Sequence, residues 1–304
     1  MKEFDLLILG AGPAGITAAV YAARKKIDFA LISQDIGGQA AWSGDIENYT
    51  GYQFITGPEL TLKFQEHIEA FGIDVHMPEK IAVVSRTGKI FTVTTDQSEY
   101  AGRSVIVATG KRSRTLNVPG EEQFRNRGVT YCATCDGPLF KGKPVAVVGG
   151  GNSGLDAALQ LMRLCPNVYV LEAGPALRGD AVMQEKLKAA AHVEIITAAR
   201  VQRIFGEKFV QGIEIEQAGR QRTLAVQGVF VEIGLIPNAE FATILERNTQ
   251  GEIVVDCHNR TNVEGVFAAG DVTSVPEKQI IIACGEGSKA CLAAFHYLST
   301  HRFP

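Results

Sequence analysis

The sequence predicts an α/β fold of two three-layer domains, each around a parallel sheet, with the second inserted into the first. Three observations carry this expectation. A short apolar strand, a glycine-rich turn and an alanine-rich helical segment occur together twice, as "LLILGAGPAGITAAVYAARK" (residues 6–25) and "VAVVGGGNSGLDAALQLMRL" (residues 145–164). Each copy is followed by a strand that closes on a glycine, in "SVIVATG" (104–110) and "GVFVEIGLIPN" (228–238). A late apolar strand, "TNVEGVFAAGDV", ends at Gly270-Asp271, where an open α/β sheet places its ligands.

In the first unit the turn is Gly10-x-Gly12-x-x-Gly15, and in the second Gly149-x-Gly151-x-x-Gly154. The first glycine of each set permits the tight turn, and the second lets backbone amides approach a pyrophosphate. The third lets helix and strand pack closely, so that phosphates meet the helix N-terminus. Two such turns predict two Rossmann-like dinucleotide-binding domains. Ala14, Thr109 and Gly110 are assigned to the first site, and Asn152 and Ser153 to the second. Counting 23 residues on from each first glycine reaches Ser33 and Glu172. A carboxylate at that strand end accepts hydrogen bonds from ribose hydroxyls and repels a 2′-phosphate. Glu172 therefore points to NADH rather than NADPH, and Arg178 alone offers no adequate phosphate fork. The competing readings are a solvated strand end for Glu172, the lesser of its two, and a helix cap for Asp271.

The remaining elements follow in order. Residues 77–103 alternate apolar and polar and predict an antiparallel meander beside the first sheet. A last helix begins near Gln279 and carries Cys284 and Cys291 on one face. The expected division is 1–112 with 247–304 for the first domain and 113–246 for the second. Val118 to Gly120 ("VPG") and Ile236 to Asn238 ("IPN") mark the hinge neighbourhoods. Two crossings permit one domain to turn against the other.

Of the 304 residues, 46% are hydrophobic and 21% charged, with a net charge of −3. No basic stripe suggests a nucleic-acid partner. The first apolar run, Leu6 to Leu9, is too short for a signal core or a membrane span, and no later run is longer than a strand or core helix needs. A soluble cytoplasmic protein is expected. Six cysteines do not form a secreted disulfide framework, and a close pair in a reducing compartment is catalytic or metal-binding.

That close pair stands in "YCATCDGPLF", residues 131–140. Zinc would need four ligands, and there is no second C-x-x-C, so no metal site is expected. Cys132 and Cys135 read better as a redox dithiol, whose short loop lets thiols and disulfide interconvert. Asp136 is placed to move the proton of thiol exchange, or to close an Asx-turn, and the two roles are compatible.

Taken together, "GAGPAG", "GGQ" (37–39), "IENY" (46–49), "IVATG", "CATCDG", "GGGNSG", "GVFAAGDV" and "KQIIIACGEG" resemble the low-molecular-weight thioredoxin reductase family over essentially the whole chain. "NVPGEEQFRNRGVTYC", "IGLIPN" and "VPEKQIIIACGEGSKACLAAF" are nearer to the reductase portion of the alkyl hydroperoxide reductase flavoprotein subunit, without its N-terminal domain. The resemblance implies FAD on the first unit, with Gly38, Gln39 and Asn48 near the flavin. Asp271 would then hold the ribityl or phosphate region, and Gln279 and Ile280 would border the ring. It also implies NAD(P) on the inserted unit, a homodimer and a rotating domain, with Cys135 nearer the ring and Cys132 as the interchange thiol. "LEAGPALRGD" stands where NADPH-using members carry an arginine-rich segment, again favouring NADH. The expected acceptor is a separate thioredoxin-fold protein: thioredoxin, a glutaredoxin-like protein, or a relative of the missing N-terminal domain. The rival readings are an NADH oxidase passing electrons to oxygen, a dithiol oxidase without nucleotide binding, and a nucleotide-sensing binding protein.

Overall fold

The computed structural model describes residues 3–43, 45–46 and 48–301, the side chains of Trp42, Asp45 and Cys135 excepted. The chain divides into two compact units, Met1–Arg112 with Ile236–Pro304, and Ser113–Leu235.

The outer unit is organised by the strand Glu3–Ala11, which pairs in parallel with Phe29–Ile36 on one side and Glu99–Val107 on the other. Its apolar run is covered on both faces, so successive side chains enter different cores. Leu6 and Ile8 pack under the helices Pro13–Arg24 and Ile280–Thr300, with Ala18, Ala290 and Ala294. Leu7 and Leu9 face the opposite core with Phe91, Val93 and Val266. Each fully buried leucine or isoleucine stabilises the unit by roughly 1.5–3 kcal/mol relative to exposure.

The meander forms as Ile81–Thr87, Ile90–Thr95 and Glu99–Val107, and it is continuous with the sheet rather than beside it. Its last strand starts antiparallel to Ile90–Thr95 and then runs parallel to both Glu3–Ala11 and Val266–Ala268.

Residues 236–246, expected in the inserted domain, pack in the outer one. Ala239, Ala242 and Leu245 are buried against the same core as Leu7 and Leu9. The expectation that "VPG" marks a hinge also needs correction. Pro119 accepts a hydrogen bond from Ile204 at 2.9 Å, and a side chain at Gly120 would lie 1.9 Å from Ile204 O, so this turn is packed inside the inserted unit.

The inserted unit has a five-stranded parallel sheet in the order Val129–Thr130, Gly228–Val231, Val145–Val148, Val168–Leu171, Val193–Ile196. Helix Asn152–Leu161 covers one face through Leu155, Ala158 and Leu161. The antiparallel strands Ala199–Gly206, Val210–Gln217 and Arg220–Leu224 cover the other through Ile204, Ile213 and Ile215. In both units the strand that enters the glycine turn has a neighbour on each side from a different direction in the chain. Both turns therefore stand at a topological switch point, where such sheets bind ligands.

Candidate functional site

In the outer unit Gly10 has φ +104°, a conformation that only glycine adopts without strain, and a side chain at Gly15 would lie 1.7 Å from Gly10 O. A side chain at Gly12 would meet nothing within 4 Å. The inserted unit repeats this: Gly149 has φ +135°, a side chain at Gly154 would lie 2.0 Å from Gly149 O, and Gly151 faces open space. Each open position caps a helix of ten residues or more, Pro13–Arg24 and Asn152–Leu161. These are cradles that a pyrophosphate fits, with free helix N–H groups ahead of it.

The outer turn gathers most of the residues assigned to it. Gly270 has φ +76°, and a side chain there would lie 3.0 Å from Ala14 Cβ. One at Gly287 would lie 2.0 Å from Ala14 O, so the last helix seats directly on the turn. One at Gly38 would lie 3.5 Å from Gly12 Cα, bringing the "GGQ" segment to the same place. Gln39 is exposed in the short helix Gly38–Trp42. Asn48 donates to Gln279 Oε1 at 3.0 Å, and Gln279 caps the helix that begins at Ile280. Burial pushes the Asp271 carboxyl up, against the pull of Lys278 and Lys111. Glu252 accepts from Lys111 at 2.6 Å and lies 3.3 Å from Lys278. Thr109 and Gly110 are tied to Asn238, with Thr109 Oγ1 donating to Asn238 O at 2.6 Å and Asn238 N donating to Gly110 O at 2.9 Å.

Sequence reasoning missed two residues here. Ser33, noted only for the carboxylate it is not, accepts from Ala11 N at 3.0 Å and donates to Asp35 O at 2.7 Å. Glu286, which looks like an ordinary helix residue in the sequence, is 5% exposed and accepts from Gly270 N at 2.8 Å, fixing the turn that carries Asp271. Burial pushes its carboxyl up.

In the inserted unit Glu172 is 5% exposed and therefore not a solvated strand end. Its Oε2 accepts from Gly150 N at 2.8 Å and its Oε1 from Gly174 N at 2.6 Å. Arg178 lies 3.5 Å away but is largely exposed. Asn152 Oδ1 accepts from Asp180 N at 2.8 Å, and Ser153 is exposed on the first turn of the helix. The loop between Glu172 and Asp180 is folded onto the turn, with Arg178 N and Gly179 N both donating to Gly150 O.

Cys132 is disulfide-bonded, while Cys165, Cys257, Cys284 and Cys291 are free. The side chain of Cys135 lies outside the described residues. Thr130 Oγ1 donates to Asp136 Oδ2 and accepts from Cys132 N at 3.3 Å, and Asp136 N donates to Cys132 O at 3.1 Å. Thr130 thereby aims the carboxylate at the cysteine segment, a role the sequence did not signal. Upstream, buried Glu121 accepts from Leu116 N, Asn117 N and the Tyr131 hydroxyl, anchoring the approach to Cys132. Among the described residues no helix is long and apolar enough to cross a membrane.

Residues 4–287 match the family model described as pyridine nucleotide-disulphide oxidoreductase. An alkyl hydroperoxide reductase component from Escherichia coli (strain K12) is 45% identical over 303 residues, covering 97% of this chain and 58% of that protein. A protein named NADH dehydrogenase from Ferdinandcohnia aciditolerans is 43% identical over 304 residues, covering 99% of this chain and 59% of its own length. The chain thus spans just under three fifths of the curated relatives it matches. Among solved structures, Lactococcus lactis thioredoxin reductase in its FR conformation has 35% identity and a TM-score of 0.81, covering 98% of this chain and all of that one.

Proposed function

The chain belongs to the pyridine nucleotide-disulphide oxidoreductase family, and from that premise we propose that it carries electrons from NADH, through FAD, to a Cys132–Cys135 disulfide and on to a thioredoxin-fold protein. The observation that carries this reading is that Cys132 is disulfide-bonded in the same compact unit as the second glycine turn.

FAD, when bound, supplies the two-electron link between pyridine nucleotide and disulfide. The outer turn suits its pyrophosphate, with Gly10, Gly12, Ala14, Gly15 and Gly38 lining the approach. Asp271, held by Glu286 through Gly270, serves the ribityl end, and Asn48, Gln279 and Ile280 border the ring. NADH takes the turn from Gly149 to Gly154. Glu172 places a carboxylate at that strand end, which supports NADH over a nucleotide bearing a 2′-phosphate. Opening the disulfide takes two electrons and two protons, and Asp136, steadied by Thr130, handles one of the protons. The nicotinamide turn and the disulfide both belong to the inserted unit, so each would meet the flavin in its own turn. The resulting dithiol reduces the partner's disulfide by thiol exchange. The working form is a homodimer in the cytoplasm.

Anaerobic reductive titration tests the relay. Four electrons per flavin support it, and two remove the disulfide from it. In stopped-flow mixing, faster flavin reduction by NADPH than by NADH would overturn the nucleotide assignment. A second reading is electron transfer from flavin to oxygen; the relative named NADH dehydrogenase supports NADH as donor in either reading. Transfer to oxygen needs no cysteine, so a Cys132→Ser protein with undiminished physiological turnover would select it.

A further inference from the structure

Glu232 follows the strand Gly228–Val231 and stands where the second glycine turn begins. Its N–H donates to Val148 O at 2.8 Å, and its own carbonyl oxygen would lie 2.1 Å from a side chain at Gly149. Val129 and Thr130 pair in parallel with Val229 and Phe230, so the strand that runs on into Cys132 and Ala133 lies beside the one that runs on into Glu232. The Ala133 N–H draws the Glu232 carboxyl down. Ala133 is itself buried. One side chain therefore joins the nucleotide turn to the disulfide segment within a single unit. Burial pushes this carboxyl up to about 7, and Asp156 on helix Asn152–Leu161 is the charged group that adds to the push. Neither the expected mechanism nor the glycine motif has a use for such a group.

A disulfide carries no charge, but a thiolate does. Two negative charges in one half-buried place disfavour each other, so a thiolate at Cys132 is easier to form when Glu232 holds a proton. We propose that Glu232 is a positioning residue for the disulfide, holding a proton while Cys132 is a thiolate and releasing it when the disulfide re-forms. This rests on the redox reading of Cys132 given above. The step balances. The Cys132 thiolate, the Cys135 thiol, protonated Glu232 and a partner disulfide become the enzyme disulfide, ionised Glu232 and a partner dithiol. Two electrons move from the enzyme sulfurs to the partner's, and the protons of Cys135 and Glu232 end on the partner thiols.

The test uses FAD-loaded protein reduced anaerobically with dithiothreitol, freed of reductant, and alkylated with iodoacetamide from pH 5.5 to 9. The Cys132 peptide is quantified by mass spectrometry. Glu232→Gln keeps an acceptor for Ala133 N–H and cannot titrate. It should alkylate about three- to tenfold faster near pH 7.5, a shift of roughly half to one pKa unit in the thiol. Should that variant fail to fold, infrared difference spectra of the unaltered protein give a second readout, in which reduction at pH 7 adds a protonated-carboxyl band. Superimposable alkylation curves, or no such band, overturn this proposal and leave the redox reading intact. Cys132 that alkylates before any reductant is added overturns both.

Discussion

The two glycine turns match contact for contact, yet the residues around them differ in charge. Ala108 N donates to Leu9 O at 2.8 Å and its carbonyl abuts Gly10, just as Glu232 N donates to Val148 O and its carbonyl abuts Gly149. Ser33 accepts from the N–H after the first glycine in one unit, and Glu172 does the same in the other. The outer turn is thus flanked by a hydroxyl and a methyl, and the inner one by two carboxyls. Shared geometry reflects a shared backbone need, since the N–H after the first glycine must have an acceptor. At these two equivalent positions the difference between the units is the pair of carboxyl groups.

The largest test of this equivalence is Gly15→Ala against Gly154→Ala. Both place a methyl on the backbone oxygen of the first glycine, and each should cost about 3 kcal/mol or more in thermal unfolding followed by circular dichroism. Gly12→Ala and Gly151→Ala, facing open space, should fold normally. If one unit tolerates its alanine and the other does not, the equivalence breaks.

Next comes Glu232, whose counterpart is alanine. Its carboxyl is raised from an ordinary 4.5 to about 7, so between those values the folded chain binds a proton that the unfolded chain does not. Its contribution is complete below about pH 4.5 and falls away as pH rises to about 7. Relative to Glu232→Gln, the unaltered protein should therefore lose ~3 kcal/mol between pH 4.5 and 8, read by urea unfolding at each pH. A constant difference between the two proteins would show that the group is not buried as an acid.

Removing the two strand-end acceptors sharpens the contrast further. Glu172→Ala leaves Gly150 N and Gly174 N without their acceptor and should cost about 2–3 kcal/mol, while Ser33→Ala orphans one amide and should cost about 1 kcal/mol. Equal losses would mean that the carboxylate does no more for the turn than the hydroxyl does. Smallest of all is Arg178→Ala, whose exposed guanidinium at 3.5 Å should contribute no more than about 0.5 kcal/mol.

What could be read from the sequence were the features that repeat locally. Glycines at fixed spacing, apolar runs of strand length and a C-terminal helical pattern identified both turns, the meander and the last helix. Ala14, Gly38 and Gly270 do converge on one place, and Gln279 does cap the helix beginning at Ile280. The unread features depend on contacts between distant segments. Glu286 sits in a helix whose pattern shows no buried acid, and its partner Gly270 is 16 residues away. Glu232 looks like an outward strand residue until Ala133 is folded against it. The return crossing lies before residue 236 rather than after 246, because only the core around Leu7 and Leu9 shows where Ala239 and Leu245 belong.

The outer unit draws on both ends of the chain, with the helix Ile280–Thr300 seated on Pro13–Arg24 at Gly287 and Ala14. During translation the contiguous inner unit completes first, while Leu6, Ile8 and Ala18 wait on the ribosome for a cover made after it. Late stalling or truncation would then release a chain with one finished half and one greasy, open face, a natural client for chaperones and proteases.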